Sequence, residues 1–566
     1  MNAIVAVTGM LPAILLVSAV LTAAVSMLLL LLFRRAVLRS MNASAGIAPA
    51  PAAPSSEPTG TARNAPPEAR PALAIIPVRE DGPWARGVLE EYRASSASLR
   101  RLAAVYALAA LAYAVIMTLP WLAGADGGLP VLRVAWLVAC YAWPGVLGVL
   151  LVTSSLGRMR VVVLGGYAAL LATIAAAALL RNPELTLSQL LYFWLFANGP
   201  ASVLLAAFLR RSVRAVGPLV LAFMVTGVAG AFLSVTLAGS NDQWLHAIVA
   251  AGAAVGLGAT ALFVLLHVLG FAVLALLGWW LLGRLGRAYR ARRISDQSLT
   301  VDALFLLFGI VQSISYVFEG WAWAITGLVA IASYKAVAVY GLARLSRAGA
   351  MAGARRRSLL LLRVFALGPR SEHLLDALSA RWLRTGNIDL IAAPDLVTST
   401  VKPDEFLAFV GGRLSRRFVD SETQLQQRLV ERYTGPDPDG RHRVNHFFCR
   451  RDTWQITMRR LAAENAAVLM DLRAFAPHNQ GCLWELEHLL GAVPLHRIVL
   501  LVDRTTDRGF LEQQLQALWA RTEHASVNRQ LASPGVHLLD APASLSEAAQ
   551  ALLKSLFQAG NANDTR

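Results

Sequence analysis

Charged residues and cysteines are scarce in this sequence, and both scarcities narrow the class of protein. Only 15% of the 566 residues are charged, whereas a soluble domain has about 25%. Three cysteines, Cys140, Cys449 and Cys482, are too few for a disulfide framework, and their number agrees with a reducing cytoplasm. The sequence also lacks a glycine-rich phosphate loop, a G-x-S-x-G elbow and an H-E-x-x-H helix. Secreted disulfide scaffolds and enzymes that depend on these motifs are therefore excluded.

Apolar residues and positive charge are what the chain has in excess. Hydrophobic residues make up 56% of it and the mean hydropathy is +0.52, so lipid rather than water must surround much of its surface. The net charge of +17 is divided unevenly. Residues 1–357 carry 28 Lys and Arg against 12 Asp and Glu, a net of +16, whereas residues 358–566 carry 24 against 23. The basic excess lies between hydrophobic runs, where it sets membrane orientation, and it does not predict a nucleic-acid partner.

Long hydrophobic runs predict a polytopic all-α membrane bundle whose partner is the lipid bilayer. A helix needs about 20 apolar residues to cross the hydrocarbon core. The first run has no basic segment before it and is too long for a signal peptide, so we expect residues 1–39 to remain as a transmembrane anchor. About nine transmembrane helices are predicted, at 3–33, 102–124, 131–156, 161–180, 189–209, 215–239, 245–283, 302–318 and 321–343.

Basic residues at the ends of these runs predict the orientation of the chain. Because basic loops stay inside, the N-terminus is expected outside and the C-terminal domain in the cytoplasm, in an inner (plasma) membrane. Residues 40–99, rich in alanine, proline and serine, are expected to form a disordered cytoplasmic linker. The multi-span region then covers 100–347, and a basic linker at 348–357 leads to a cytosolic domain at 358–560.

Two features of the membrane region need an interpretation of their own. Residues 245–283 are longer than one crossing requires, and we expect a single long, tilted helix that keeps the arginines after it inside. Polar groups in membrane spans often mark a solute path, but here we expect Arg133, Asp302 and Glu319 to lie near the interface. Lys335 is expected either to extend its amine to the interface or to pair locally. The Asn198-Gly199-Pro200 step predicts a proline kink, with a broken helix as the alternative. The polar residues concerned are Arg133, His267, Asp302, Glu319 and Lys335.

After residue 358 the pattern changes to short apolar runs that alternate with amphipathic stretches of 10–15 residues. This alternation is typical of a parallel α/β sheet that is covered on both faces. Five strands with intervening helices predict a flavodoxin-like, doubly wound fold, in which ligands bind at the carboxyl ends of the strands. The predicted strands are 360–367, 388–392, 467–472, 497–502 and 535–539, and the predicted helices are 372–385, 452–464, 481–490, 510–521 and 545–557.

The strand predicted at 467–472 is followed by a polar loop and a helix that begins Gly481-Cys482-Leu483-Trp484-Glu485-Leu486. In this segment the chain resembles the Toll/interleukin receptor (TIR) domains, whose third strand is followed by a loop and a helix reading roughly W-C-x-x-E-L. Cys482-x-x-Glu485-Leu486 matches that spacing, with Gly481 in place of the tryptophan. Val364-Phe365 and Ser371-Glu372 are similar to the start of the family's domain, while about 40 residues (411–450) stand where the family usually has a short connection.

The resemblance implies a function for the domain. TIR domains that cleave NAD⁺ use the glutamate of this motif, so the catalytic role falls on Glu485, whose carboxylate would stabilise a ribosyl cation or hold ribose hydroxyls. Asp471, Arg473 and Trp484 are the expected substrate-binding residues, NAD⁺ is the expected substrate, and no cofactor or metal is expected. Self-association through the cytosolic domain is also implied. A glutamate in the first turn of a helix commonly compensates the helix dipole, and that structural role for Glu485 stays open.

Three further groups of residues have weaker interpretations. His442, His446 and Cys449 have the i, i+4, i+7 spacing of metal ligands on one helix face, but without a paired C-x-x-C they predict a partly buried polar helix face. The segment Asp437-Pro-Asp439-Gly440 predicts a turn rather than a calcium loop. Asp503 and Asp507 follow the fourth predicted strand, where they either line a nucleotide cleft or cap the next helix.

Functions from three classes stay open. The leading hypothesis is a bacterial membrane-anchored signalling or defence protein with a TIR-like effector domain that is an NAD⁺ glycohydrolase. The second is a non-enzymatic regulatory or scaffolding α/β domain on a membrane protein. The third is a transporter or channel with a cytosolic regulatory domain, whose solute path would include Lys335 or Asp302. Nicotinamide release, protein binding without turnover, and solute flux distinguish the three.

Overall fold

The structure, a computed structural model, divides the chain into two compact units. The helical unit contains Met1–Leu32, Ala97–Met351 and Val401–Val410, and the sheet unit contains Phe33–Ser96, Ala352–Thr400 and Gly411–Arg566. The residues described are 2–43, 71–78, 85–123, 131–153, 157–208, 216–313, 316, 323, 325–347, 357–364, 369–392, 401–522, 526–528, 530–541 and 556.

Eleven of the described helices precede the first strand of the C-terminal half of the chain. They are α1 (Asn2–Asn42), α2 (Ala85–Ala123), α3 (Val131–Tyr141), α4 (Trp143–Val152), α5 (Gly157–Arg181), α6 (Leu187–Phe208), α7 (Gly217–Gly239), α8 (Asp242–Ala254), α9 (Ala259–Arg290), α10 (Asp296–Ser313) and α11 (Thr326–Arg347).

Seven described helices, or parts of them, are long and apolar enough to cross a membrane. They are α1, α2, α5, α6, α7, α9 and α11. The pair α3 and α4, bent by 41° at a short break, raises the number to eight if it forms one broken span. Nine spans were expected from the sequence. The difference is α10, which replaces the span predicted at 302–318. This helix begins six residues earlier, at Asp296, and holds two aspartates, so it is less apolar than the predicted run.

The single helix predicted over 245–283 is wrong. The chain breaks there into α8 and α9, and Gly256 between them has a φ of +74°. Glycine adopts this left-handed conformation without the steric cost that other residues meet, so the Gly-Leu-Gly sequence at 256–258 ends one helix before the next begins. α8, with 13 residues, is too short to cross a bilayer. α9 has 32 residues and is therefore about 48 Å long.

The break between α3 and α4 is held by a buried hydrogen-bond network. Pro144 has no N–H, so the carbonyl oxygen of Cys140 loses its usual helical donor. The side-chain amide of Asn198 donates to that oxygen at 3.1 Å and also satisfies a carbonyl of its own helix. Gln312 donates to the Asn198 amide oxygen at 3.0 Å and accepts from the Tyr113 hydroxyl at 2.7 Å. α6 itself continues through Pro200, so the alternative of a broken helix there is wrong.

Most of the other polar residues in the apolar runs have local partners. Lys335 of α11 forms an ion pair with Asp302 of α10, which confirms the expected local pairing. His267 donates from Nδ1 to a carbonyl oxygen one turn earlier in α9, at 2.9 Å. Arg133 lies in the first turn of α3, and Glu319 lies outside the described residues. Charged groups in an apolar run are costly unless they are paired, and the Lys335–Asp302 pair meets that requirement.

The sheet unit contains one sheet of eight parallel strands. The strands are β1 (Ala74–Pro77), β2 (Arg357–Arg363), β3 (Gly386–Ile391), β4 (Phe418–Val419), β5 (Val444–Cys449), β6 (Ala467–Asp471), β7 (Ile498–Val502) and β8 (Gly535–Asp540). Their order across the sheet is β1-β8-β7-β6-β2-β3-β5-β4. All five strands predicted from the sequence are present, and in their own numbering they follow the 2-1-3-4-5 order of a doubly wound sheet.

Helices cover both faces of this sheet, as a parallel sheet requires. Leu360 and Leu362 of β2 point into one hydrophobic core, and Leu359 and Leu361 point into the other. A strand with both faces buried reads as a continuous apolar run, which is why β2 could be predicted. The helices that follow β2 are α12 (Pro369–Trp382), α13 (Pro403–Val410), α14 (Glu422–Val430), α15 (Trp454–Glu464), α16 (Gln480–Ala492) and α17 (Arg508–Arg521). α13 clusters with the helical unit, where Leu407 lies against Gly286 of α9. The helix predicted at 545–557 lies outside the described residues except for one position.

The helix face predicted from His442, His446 and Cys449 is wrong, because Val444–Cys449 is strand β5. Side chains alternate between the two faces of a strand, so His446 and Cys449 point to opposite sides. The spacing that suggested metal ligands therefore brings no such group together. Among the described residues there is no cluster of three or more His, Cys, Asp or Glu that could hold a metal ion.

Part of the predicted linker at 40–99 is also folded. Residues 74–77 form β1, which pairs in parallel with β8 at the edge of the sheet, and α2 begins at residue 85. Leu73 is only 2% exposed and joins the core of the sheet unit. The side chain of Gln516 bonds both backbone groups of Leu73, at 3.3 and 2.8 Å, and the Trp519 indole donates to the Pro71 carbonyl oxygen at 3.1 Å. This short strand was not predicted because the residues around it are rich in alanine, proline and serine, a composition typical of a disordered linker.

The buried position of Leu73 leads to a test of this edge strand. Leu73→Ala is expected to lower the free energy of unfolding by about 2–4 kcal/mol, because it leaves a cavity in a packed core. Ile76→Ala removes a side chain that is 42% exposed on β1, the strand that Leu73 directly precedes, and serves as the matched control, with a much smaller loss. Thermal unfolding of the full chain in detergent measures both losses. Equal effects of the two substitutions would contradict the edge-strand assignment.

The break at Gly256 predicts where the chain crosses. α8 is too short to span, so only α9 crosses between Asp242, the first residue of α8, and Ser295, which follows α9. These two residues are therefore expected on opposite sides of the membrane. Alkaline phosphatase and green fluorescent protein fusions at Asp242 and at Ser295 measure this. Alkaline phosphatase activity is expected only at Asp242 and fluorescence only at Ser295. The same reporter signal at both positions would mean that α9 does not cross alone.

Candidate functional site

The chain reverses its direction of travel across the sheet between β2 and β6. From β2 it proceeds to β3 and β5 on one side, and from β6 it proceeds to β7 and β8 on the other. In doubly wound sheets, ligands bind in the crevice outside the carboxyl ends of the strands at this reversal. The last residues of the two strands, Arg363 and Asp471, are neighbours in the strand register and are 3% and 0% exposed. Neighbours in a parallel register share a face, so a buried cation and a buried carboxylate meet at this edge.

Both carboxylate oxygens of Asp471 accept hydrogen bonds from the loop that follows β6. The guanidinium of Arg473 donates to both of its carboxylate oxygens, each at 2.7 Å, in a bidentate pair. Burial opposes the charge on Arg473, but the hydrogen bonds and charge of Asp471 outweigh it and raise the pKa of Arg473. Ala474, the next residue, has a φ of +59°, a conformation that disfavours side chains. The backbone N–H of Phe475 donates to the Leu472 carbonyl oxygen at 3.0 Å, and this bond completes the turn that contains Arg473.

The loops after β2, β6 and β7 are tied together around this pair. Arg473 donates to the carbonyl oxygen of Arg370, at the start of α12, at 3.2 Å. The Arg370 side chain forms an ion pair with Asp503, which follows β7. Asp503 also accepts from the backbone and hydroxyl of Thr505, at 2.9 and 2.6 Å. Burial raises the pKa of Asp503, but these hydrogen bonds and the charge of Arg370 outweigh it, so the net shift is downward. The edge therefore presents paired charges from three consecutive strand ends.

Glu485 is a buried carboxyl beside this network. α16 begins at Gln480, so Glu485 lies in its second turn, and the predicted first-turn position is wrong. Its side chain is 3% exposed, and Oε2 is buried without a hydrogen-bond partner among the described residues. Burial raises the pKa of Glu485 to about 8, and the charge of Arg363 opposes that rise. A carboxyl in this state holds its proton at neutral pH, which is not the behaviour of a dipole-compensating surface acid.

Cys482, in the first turn of α16, is a buried thiol on which both carboxyls act electrostatically. Burial, followed by the negative charges of Glu485 and Asp471, raises the pKa of the Cys482 thiol to about 12. Of the four site residues named from the sequence, Asp471 and Arg473 form an ion pair, and Glu485 is influenced by the charge of Arg363, the register neighbour of Asp471. A thiol with so high a pKa stays protonated and is not a nucleophile. We define Arg363, Asp471, Arg473 and Glu485 as the strand-end cluster.

Trp484, the fourth residue named from the sequence, packs against α15. Its ring packs edge-on against Trp454 of α15 at 5.0 Å and stacks on His488 at 5.8 Å. The guanidinium of Arg459, also on α15, lies 5.2 Å from the Trp484 ring centre. Adjacent residues on a helix point about 100° apart, so the tryptophan packs two helices together while Glu485 faces the strand ends. The structure therefore gives Trp484 a packing role.

Two arginines of the site were missed in the sequence. Arg363 and Arg370 are separated in sequence from the motif around Glu485, and only the pairing of β2 with β6 brings them beside it. The available signal was a charge at the end of an otherwise apolar strand, which is unusual for a buried strand. Of the two roles proposed for Asp503 and Asp507, helix capping is confirmed for Asp507, which accepts from the backbone N–H of Phe510 at the start of α17 at 3.1 Å. Asp503 forms an ion pair with Arg370, and its role in lining a nucleotide cleft stays a prediction.

The charges of the strand-end cluster indicate what it can hold. With Glu485 protonated, two arginines face one aspartate and the cluster has a net charge of +1. With Glu485 ionised, the cluster is neutral. The resting state therefore favours an anionic group, and a cationic group beside Glu485 would favour loss of its proton. A nucleotide with phosphates and a positively charged ring combines both features.

Comparison with known protein families, with characterised proteins and with solved structures gives no match to this chain. The function of the site must therefore be inferred from its own geometry.

The raised pKa of Glu485 predicts how stability depends on pH. The unfolded chain releases this proton above about pH 4.5, whereas the folded chain keeps it up to about pH 8. Because the folded state binds the extra proton, Glu485 lowers the stability of the fold progressively as pH rises through this window. Glu485→Gln is expected to remove that loss and to stabilise the fold by up to about 3 kcal/mol at pH 7, with little gain at pH 5.

Thermal unfolding of the full chain in detergent at pH 5, 7 and 8 measures this dependence. Glu487→Gln, the same change at an exposed position of α16, is the matched control and is expected to have little effect at any pH. A gain from Glu485→Gln that does not grow with pH would contradict the raised pKa.

Proposed function

We propose that this chain is a membrane-anchored signalling or defence protein whose sheet unit binds NAD⁺ at the strand-end cluster and cleaves its nicotinamide–ribose bond. The observation that carries the proposal is Glu485, a buried carboxyl with an unpartnered oxygen, beside Arg363 at the point where the chain reverses across the sheet. The motif resemblance assigns catalysis to the same residue, and the motif and the geometry thus support one site.

The chemistry of cleavage uses Glu485 in its ionised form. The bond between the nicotinamide nitrogen and the ribose carbon breaks, and its electron pair leaves with nicotinamide, which becomes neutral. The ribose is left with oxocarbenium character, which an adjacent carboxylate stabilises. Water then adds to the ribosyl cation and releases one proton, to give ADP-ribose. The positive charge of the bound nicotinamide ring favours the ionised Glu485 before the bond breaks.

The two arginines suit the rest of the ligand. Arg363 and Arg473 lie at adjacent strand ends, and the pyrophosphate of a dinucleotide is a double anion that arginine binds well. Asp471 holds Arg473 in place with two hydrogen bonds, so it acts as a positioning residue. The assignment of Arg473 to substrate binding is therefore retained, and that of Asp471 is modified to support of the arginine.

A second function is favoured by one feature of the same site. Glu485 is 3% exposed, and both carboxylate oxygens of Asp471 accept from the Arg473 guanidinium, so the cluster is closed in this conformation. A closed, internally paired cluster suits a non-enzymatic regulatory or scaffolding domain that binds another protein. An enzyme with this cluster requires the loops after β2 and β6 to open, and self-association of the domain is the event proposed to open them.

The third function, a transporter or channel, has weaker support. The bent pair α3–α4 and the Asp302–Lys335 ion pair are features of solute paths. The polar groups at the bend, however, satisfy one another, which is how a network fixes packing rather than binds a solute. We therefore propose that the helical unit anchors or senses, with the N-terminus outside and the sheet unit in the cytoplasm.

The test of NAD⁺ cleavage uses the full chain, reconstituted into vesicles at high density so that its domains can self-associate. Wild type is expected to release nicotinamide from NAD⁺, measured by chromatography, and Glu485→Gln is expected to lower the rate by at least about 100-fold. Glu487→Gln, on the exposed side of α16, is expected to keep the wild-type rate. Equal release by Glu485→Gln and wild type would contradict the assignment, and no release from folded wild type would favour the scaffold.

The pH profile of the reaction provides a separate check. Because the ionised carboxylate is the reactive form and its pKa in the free protein is about 8, kcat/KM is expected to rise with pH and to level off above about pH 8. Initial rates between pH 5.5 and 9 measure this profile. A flat profile, or one that falls with pH, would exclude Glu485 as the reactive carboxylate.

A further inference from the structure

The C-terminal end of α9 carries a concentration of positive charge that the strand-end cluster does not use. Five arginines occur within ten residues, and the side chain of each is exposed. We call them the arginine cluster: Arg284, Arg287, Arg290, Arg292 and Arg293. Basic residues after a span set orientation through their charge alone. The geometry of this helix end assigns the cluster a more specific role.

Distances along α9 place the arginine cluster at the level of lipid headgroups. From its start at Ala259, about 20 residues cover the hydrocarbon core of roughly 30 Å. Trp279 and Trp280 come next, 49% and 51% exposed, and tryptophan is enriched at the boundary between lipid tails and headgroups. The Arg284 guanidinium lies over the Trp280 ring, 4.9 Å from its centre. The order apolar, aromatic, basic therefore follows the layers of a leaflet.

The end of α9 is also built rigidly. Arg293 donates its backbone N–H to the Ala288 carbonyl oxygen at 2.9 Å, and Arg292 donates to that of Tyr289 at 3.0 Å, which is a Schellman motif. The left-handed position of this motif is usually glycine, but here it is Arg292, with a φ of +54°. The chain thus keeps a positive charge where glycine would be less strained. Tyr289, fully buried, anchors the turn from the inner side.

We propose that the arginine cluster is a binding site for the headgroups of anionic phospholipids in the leaflet at which α9 ends. The guanidinium groups are exposed and oriented by a fixed helix end, and guanidinium binds phosphate through paired hydrogen bonds. The aromatic pair beside the cluster holds it at the lipid boundary, which distinguishes a lipid ligand from a nucleic acid. Lipid attraction of this kind amounts to roughly fivefold in affinity for each basic residue.

Phospholipid binding to the purified full chain in neutral detergent tests the proposal. Titration with phosphatidylglycerol and with phosphatidylcholine, followed by native mass spectrometry, measures the two affinities. Wild type is expected to prefer phosphatidylglycerol, and the triple variant Arg284→Gln, Arg287→Gln, Arg290→Gln to lose on the order of 100-fold in that affinity. The corresponding triple lysine variant keeps the charge and is expected to retain most of it. Phosphatidylcholine binding is expected to be the same in all variants.

Arg292→Gly separates a loss of binding from a loss of fold. It removes one charge but relieves the left-handed backbone, so its melting temperature is expected to equal or exceed that of wild type. Its phosphatidylglycerol affinity is nevertheless expected to fall about fivefold. Arg521→Gln, an exposed arginine at the end of α17, is the control and is expected to leave the affinity unchanged.

Three results would overturn the proposal. One is equal phosphatidylglycerol affinity in wild type and the triple glutamine variant. Another is displacement of the lipid by inorganic phosphate at equal concentration, which would indicate a site for free anions. The third is a short DNA duplex that binds through these arginines and displaces the lipid, which would indicate a nucleic-acid surface.

Discussion

β2 pairs with β6 in parallel at the point where the chain reverses across the sheet, and the chemistry of the sheet unit depends on that pairing. The register sets Arg363 beside Asp471, although more than 100 residues separate them in sequence. Arg473 forms an ion pair with Asp471, and Asp503 after β7 forms one with Arg370 at the start of α12. Glu485 lies on α16, where the charge of Arg363 acts on it. A shift of one residue in this register would turn Arg363 to the opposite face, so the packing of both cores protects the site.

Hydrogen-bond partners decide the chemical character of the two buried carboxyls at this edge. Asp471 and Glu485 are both enclosed carboxyls, yet Asp471 has a bidentate arginine and Glu485 has an oxygen with no hydrogen-bond partner among the described residues. The paired carboxyl positions a cation, and burial raises the pKa of the unpaired one, so that Glu485 holds its proton at neutral pH. Two carboxyls from one short stretch of sequence thus acquire different tasks because they differ in their partners.

The sequence predicted elements well where a single periodic signal dominated. Continuous apolar runs with both faces buried identified β2, β6 and β7, and the segment after β6 drew attention to Asp471 and Arg473, which form an ion pair in the structure. Strand β5 was missed because its polar residues were interpreted with a helical period. The break before α9 was missed because glycines are common within apolar runs and give little warning of a break there. Arg363 was not identifiable, because its partner is set by strand pairing over a long separation. Trp484 packs against Trp454 of α15, and its assignment to substrate binding stays a prediction.

Strand β1 has a consequence for how the chain acquires its structure. Ala74 pairs with Gly535, so the outer edge of the sheet joins segments 461 residues apart, with most of the helical unit between them. Such a pairing can form only after nearly the whole chain has been synthesised. Until β1 pairs with it, β8 has an open, hydrogen-bonding edge, which is the kind of surface that recruits strands from other molecules. A fragment that starts at β2 would keep that edge open permanently, so the sheet unit is a discontinuous domain whose solubility depends on a segment next to the first membrane anchor.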